Sequence, residues 1–228
     1  NEIENCHPFL RQNNWRTRNL VAAGNFNLTN VDELFDVLVN IGQHPKQKSD
    51  TVTILEKIGH FLDEENQLRF DALKEKGLDN QTISERIADT LDLGQVLRKA
   101  SSDFDGGYVM CGMLGHGDAF VMRDPNGIRP AYWYEDDEVV VAASERPVIQ
   151  TAFNVTADSI QEVLPGSALI VRRNGKAHVE EIRAAAERKA CSFERIYFSR
   201  GNDADIYKER KMLGETIVPR VLEAVEHD

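Results

Sequence analysis

An α+β fold built in layers is what this sequence predicts, and three observations lead there. Residues 30–100 carry apolar positions at helical spacing. Residues 106–181 are short apolar runs punctuated by turn residues. No repeat or low-complexity tract competes with that order of helices followed by antiparallel strands. At 228 residues the chain accommodates one large domain, or one domain and the start of another, around a sizeable core.

The elements follow in order. "RNLVAAGNFNLTN" reads as a short strand, Leu20 to Ala23, running into a polar turn. In "NVDELFDVLVNIG", Asn30 is placed as N-cap with Glu33 reciprocal to it, Leu34, Val37, Leu38 and Ile41 form the apolar face, and Gly42 ends the helix. A second helix starts at Ser49 or Asp50, with Val52, Leu55, Ile58 and Leu62 inward. "NQTISERIADTLD" and "LGQVLRKA" are further amphipathic helices. "GYVMCGML", "DAFVMRD", "AYWYE" and "EVVVAAS" are expected as consecutive antiparallel strands, and "ERPVIQTAF" as a short helix. "GSALIVRRNGKAHVEEI" is a hairpin turning at Asn174-Gly175. Residues 183–191 suit a helix or linker, "FERIYFSR" a strand, and "DIYKERKMLGETIVPRVLEAV" a helix that Pro219 limits or kinks.

Composition excludes several classes of function. A net charge of −11 with pI near 5.1 disfavours nucleic acid and anionic membranes as partners, and no apolar run is long enough for a membrane span, so the cytoplasm is the expected location. Cys6, Cys111 and Cys191 lie far apart without C-x-x-C spacing, which points to free, partly buried thiols rather than disulfides or zinc. The six histidines form no H-E-x-x-H or similar cluster, so no metal site is expected.

"RDPNGIRP", Arg123 to Pro130, sets two prolines, a glycine and three charges in eight positions, which specifies one rigid path. Its charges suit either an anionic ligand or the loop's own backbone. Turn chemistry accounts for every residue of the octet and favours the second use.

Taken with "GNFNLTN" (24–30), "SDT" (49–51), "ASE" (143–145), "LPGSALIV" (164–171), "CSFERIYFSR" (191–200) and "LGE" (213–215), the octet makes the chain resemble the glutamine phosphoribosylpyrophosphate amidotransferases, or amidophosphoribosyltransferases. The seven stretches occur in that family's order and run nearly end to end. The resemblance implies a glutaminase domain of the N-terminal-nucleophile type, a four-layer α/β/β/α sandwich, over residues 1–190. It implies that 191–228 leads into a phosphoribosyltransferase domain outside this sequence. Glutamine hydrolysed in the first domain would supply ammonia to phosphoribosylpyrophosphate in the second, giving phosphoribosylamine for purine synthesis. The octet is then a connection between core strands.

Hydrolysis of an amide passes through a tetrahedral oxyanion that needs fixed donors. By resemblance to the family's Asn-Gly-Asn-Leu-Thr-Asn signature, these are the Asn25 side chain and the backbone N–H of Phe26; the bland alternative for Asn25 is a local turn bond. Phe26 departs from the family's glycine. Asp50 matches the aspartate that holds the substrate's α-ammonium, and as a plain residue it suits a helix cap equally. The family's catalytic cysteine opens the mature protein and its His-x-Arg-Tyr segment follows, yet neither is found from Asn1 onward, so the chain is expected to be an interior piece, inactive by itself. No cofactor is expected within it. Magnesium is implied for the transferase domain, and a packing role is favoured over an iron–sulfur ligand for Cys191. The family also implies a homo-oligomer. Two other readings remain open: another glutaminase of this class, such as a glucosamine-phosphate synthase or asparagine synthetase, and a non-catalytic binding or regulatory domain, for which Phe26 speaks.

Overall fold

The computed structural model describes residues 6–45 and 47–225. Its frame is a six-stranded antiparallel sheet in the order β1-β2-β3-β4-β8-β9, comprising β1 (Phe9–Arg11), β2 (Leu20–Leu28), β3 (Gly106–Leu114), β4 (Ala119–Arg123), β8 (Ser167–Val171) and β9 (Ala177–Glu181). A second, three-stranded sheet has the order β6-β5-β7, from β5 (Tyr132–Glu135), β6 (Val140–Ala143) and β7 (Gln161–Glu162). Both are antiparallel throughout, as the run of short apolar segments predicts. The four expected consecutive strands divide between the sheets, however, with the "RDPNGIRP" octet as the crossover.

Alternation along β2 and β3 separates two cores. Leu20, Ala22, Leu28, Tyr108, Met110 and Leu114 face the helices α1 (Val31–Asn40), α2 (Asp50–Glu75), α3 (Asn80–Thr90) and α4 (Leu93–Ser101). Leu169, with Val109 and Val121, faces Ala131, Trp133 and Val163 of the small-sheet layer. In α2 the buried apolar stripe is Ile54, Leu55, Ile58 and Leu62, one place off the expected set because Ile54 replaces Val52. Each of these fully buried residues contributes about 1.5–3 kcal/mol against an exposed reference. α5 (Arg146–Phe153) lies beside the small sheet, with Ile149 buried and Phe153 against Tyr134.

Several local expectations need correction. Asn30 stands at the N-cap of α1 as expected, but its side chain makes no capping bond; its amide instead donates to the carbonyl of Asp103 and accepts from the N–H of Asp105, which ties the helix start to the α4–β3 connection. Val37 and Ile41 are exposed, and only Leu34 and Leu38 of that face reach the core. Cys6 and Cys111 are exposed rather than partly buried. "FERIYFSR" is no strand: Glu194–Phe198 form a π-helical turn, from which α6 (Ala204–Ala224) follows with Pro219 inside it. Residues 183–191 hold no regular element.

Two of the octet's charges, Arg123 and Asp124, are spent largely on backbone, while Arg129 pairs with Glu194. Asp124, 0% exposed, accepts from the N–H groups of Asn126, Ile128 and Arg129 in the loop and of Tyr108 in β3. Arg123, 2% exposed, donates to the carbonyls of Gly127, Arg129 and Val163. Gly127 takes a φ of 60°, which asks for glycine at the tip. A buried charge surrounded by backbone partners fixes where the chain leaves one sheet and enters the other.

The opposite end of that sheet is pinned by Asp118. Its carboxylate lies 2.7 Å from the Arg172 guanidinium and 3.1 Å from His116 Nε2, and it accepts from the N–H of Arg173. Burial pushes this carboxyl upward, but His116, the Arg173 N–H and Arg172 together outweigh it, and the group sits below the ordinary carboxylate value. A carboxylate lowered in the folded state adds stability above the unfolded value, about pH 4, and that stability is lost as pH falls through the folded value. The urea midpoint of wild type should therefore drop more steeply below about pH 4 than that of Asp118→Asn; parallel acid limbs would remove Asp118 from the account.

Candidate functional site

The edge of β2 is where the expected site residues gather, and the strand extends further than its sequence suggests. Asn25 and Phe26 are not in a turn: they pair with Val109 and Tyr108 in the β2–β3 ladder. Side chains alternate across the sheet, so Asn25 points toward the small sheet and Phe26 toward the helices. The Phe26 ring packs against the helical core and stacks on His7, with centroids 5.4 Å apart. It also lies over Gly24, where a Cβ would come within 2.8 Å of the ring. The ring is thus directed away from the inter-sheet space.

Ladder geometry orients the Phe26 N–H. The N–H of Tyr108 bonds Asp124 on the β4 side and its carbonyl accepts from the N–H of Asp124, so Tyr108 and Phe26 form a non-hydrogen-bonded pair and the Phe26 N–H points to the outer edge of β2. Two residues away on either side, the same edge is occupied. The N–H of Gly24 donates to His7 Nδ1 at 3.1 Å, and that of Leu28 donates to Asp50 Oδ2 at 3.0 Å. Among the described residues nothing accepts from the Phe26 N–H between them.

Ser49, rather than Asp50, caps α2, its hydroxyl accepting from the N–H of Val52. Asp50 is the first helical residue, where the helix dipole favours a carboxylate, and it anchors α2 to the end of β2. His7 makes a parallel link, with Nε2 3.2 Å from Thr51 Oγ1.

Asn25 lines a cleft of about 470 Å³ between the sheets, together with Val109, Cys111, Arg129, Glu145 and Glu194. Asp50 is not among its lining residues, so the two expected substrate groups are joined through three residues of β2 rather than by one cleft wall. Asn25 Nδ2 donates to Glu194 Oε1 at 2.9 Å, and the Arg129 guanidinium binds the same oxygen. Glu194 lies in the "CSFERIYFSR" stretch, but nothing in the sequence pairs it with Asn25, 169 residues away. Its segment, 191–199, lines the cleft although it lies beyond the expected boundary at residue 190. Of the three cysteines, only Cys111 lines the cleft, and its Sγ donates to the carbonyl of Ala23. Among the described residues no cluster of three or more metal-ligating side chains occurs, and no helix is long and apolar enough to cross a membrane.

An arginine-rich crevice below the octet encloses only about 20 Å³. Arg123 and Arg188 pair with Glu162, Arg146 with Asp203, and Arg195 with Glu209. These guanidiniums are committed to packing, not held ready for an anion.

No family model matches the chain. Amidophosphoribosyltransferase from Bacillus subtilis is 29% identical over 235 residues, covering 99% of this chain and 41% of that protein. The enzyme of the same name from Archaeoglobus fulgidus is 26% identical over 219 residues, covering 94% and 41%. The chain spans about two fifths of the length of the curated relatives it matches. Among solved structures, glutamine phosphoribosylpyrophosphate amidotransferase from B. subtilis, complexed with ADP and GMP, superimposes with a TM-score of 0.61 at 28% identity, covering 88% of this chain and 37% of that one. The structure of the allosteric regulatory enzyme of purine biosynthesis gives the same TM-score and identity over 87% and 36%. The chain is therefore similar to one portion of the amidophosphoribosyltransferases.

Proposed function

We propose that this chain is the glutaminase portion of an amidophosphoribosyltransferase. Residues 1–190 form most of a four-layer sandwich of the N-terminal-nucleophile type, and 191–228 lead to a phosphoribosyltransferase domain that uses magnesium and phosphoribosylpyrophosphate. The observation that carries the reading is the Phe26 N–H, on a strand held by the β2–β3 ladder beside the Asn25 amide and, among the described residues, unaccepted between two occupied donors. A strand edge with one such donor next to a side-chain amide is suited to a developing oxyanion, because neither group must reorganise as charge appears.

Each residue then has a role. Asn25 Nδ2 and Phe26 N–H bind the oxyanion of the tetrahedral intermediate, and Asp50, whose second oxygen is left over from the bond to Leu28, meets the α-ammonium of glutamine. The nucleophile comes from polypeptide outside this sequence. An apolar groove beside β6, about 370 Å³ and lined by Val21, Cys111, Met113, Val140 and Ala142, adjoins the Asn25 cleft through Cys111 and Ala142. Phosphoribosylamine forms when the ammonia reaches the second domain, and this chain by itself does not turn over. A second reading, a non-catalytic domain of the same fold, draws on the Asn25 amide being already bonded to Glu194.

The full-length protein should release ammonia from L-glutamine, while residues 1–228 alone release it at the background rate. A full-length protein that binds glutamine without hydrolysing it would favour the non-catalytic reading.

A further inference from the structure

A cleft carboxylate beside an oxyanion donor is at first sight misplaced. A negative charge near a developing oxyanion opposes the reaction, and a site with Glu194 bonded directly to Asn25 places one there. Two features resolve this. Arg129 binds the same oxygen, so Asn25 meets a neutralised pair rather than a bare anion. And Glu194 and Arg129 are both mostly withdrawn from solvent, so the pair keeps its geometry.

What the pair supplies is orientation. An asparagine amide has two nearly isosteric ends, of which only the NH2 donates. A carboxylate only accepts, so Glu194 admits one of the two orientations: Nδ2 turned to the cleft and Oδ1 away from it. One Nδ2 hydrogen is spent on Glu194 and the second is left for substrate. The backbone around Glu194 is itself fixed. The N–H of Cys191 donates to the carbonyl of Ile128, the N–H of Ser199 to the carbonyl of Glu194, and Asp203 is held by Arg146. The π-helical turn directs Glu194 inward while Phe193, Ile196, Tyr197 and Phe198 on the same turn face solvent.

We propose that Glu194 is a positioning residue for amide hydrolysis, which sets the orientation of the Asn25 amide and so the second donor of the oxyanion hole. The proposal rests on the glutaminase reading above. It predicts an effect on the chemical step rather than on substrate binding, exerted wholly through Asn25.

The test is steady-state glutamine hydrolysis by the full-length protein carrying Glu194→Met, the charge-neutral pair Arg129→Met/Glu194→Met in case a lone buried Arg129 prevents folding, and Glu194→Gln. We expect kcat to fall about ten- to a hundredfold in the two methionine variants with KM within about threefold, and partial recovery in Glu194→Gln, which retains an acceptor. Added to Asn25→Ala, Glu194→Met should cost nothing further. An unchanged kcat, or a full additional loss on the Asn25→Ala background, overturns the proposal and leaves the glutaminase reading standing, provided Asn25→Ala is itself impaired. If Asn25→Ala hydrolyses glutamine as fast as wild type, both fall.

Discussion

Asn25→Ala in the full-length protein is expected to lower kcat for glutamine hydrolysis by about 10²–10³-fold, with KM changed little, because removing one oxyanion-hole donor costs about that much where the donor is preorganised. The split between the constants follows from timing: the amide bonds an oxygen whose charge appears in the transition state, so its loss is felt in the barrier and not in the ground-state complex. Stability is a secondary concern here. Asn25 sits in the β2–β3 ladder through its backbone, which the substitution leaves in place, and alanine adds nothing that must be accommodated in the cleft. The Glu194 carboxylate, deprived of one donor, keeps Arg129. Steady-state rates with free ammonia as readout check the prediction; a variant with raised KM and unchanged kcat would make Asn25 a substrate-binding group instead.

Where local chemistry decides the conformation, the sequence was readable. The octet is the clearest case: its Pro, Gly and Asp positions have turn roles that need no distant partner, and Asp124 and Arg123 satisfy the loop as turn chemistry predicts. The Asn174-Gly175 hairpin and the start of α2 at Ser49 follow the same logic. The errors lie where non-local partners win. "GNFNL" has the look of a turn, yet Gly106 to Met110 of β3 hold it as strand from about 80 residues away along the chain. "FERIYF" has the composition of a strand, yet it closes a π turn in which Phe193, Tyr197 and Phe198 pack on one another. Of the candidate site, Asn25, Phe26 and Asp50 were reachable through a resembling motif. Glu194 also lies in such a stretch, "CSFERIYFSR", but its role was not legible there, since it exists only once the crossover octet brings Arg129, and the segment after β9, to the same cleft.

The Phe26 N–H is a backbone donor, which side-chain truncation leaves intact, so only removal of the N–H itself isolates its contribution. Proline at position 26 does this without breaking the sheet, since the Phe26 N–H takes no part in the β2–β3 ladder and proline is tolerated at an outward-facing strand edge. Phe26→Ala is the matched control: it loses the same ring packing against His7 and the helical core but keeps the donor. The measurement is kcat for glutamine hydrolysis by the two full-length variants. Phe26→Ala should stay within about tenfold of wild type while Phe26→Pro falls about a further hundredfold, the size of one oxyanion donor; equal kcat values in Phe26→Ala and Phe26→Pro would remove the Phe26 N–H from the oxyanion hole.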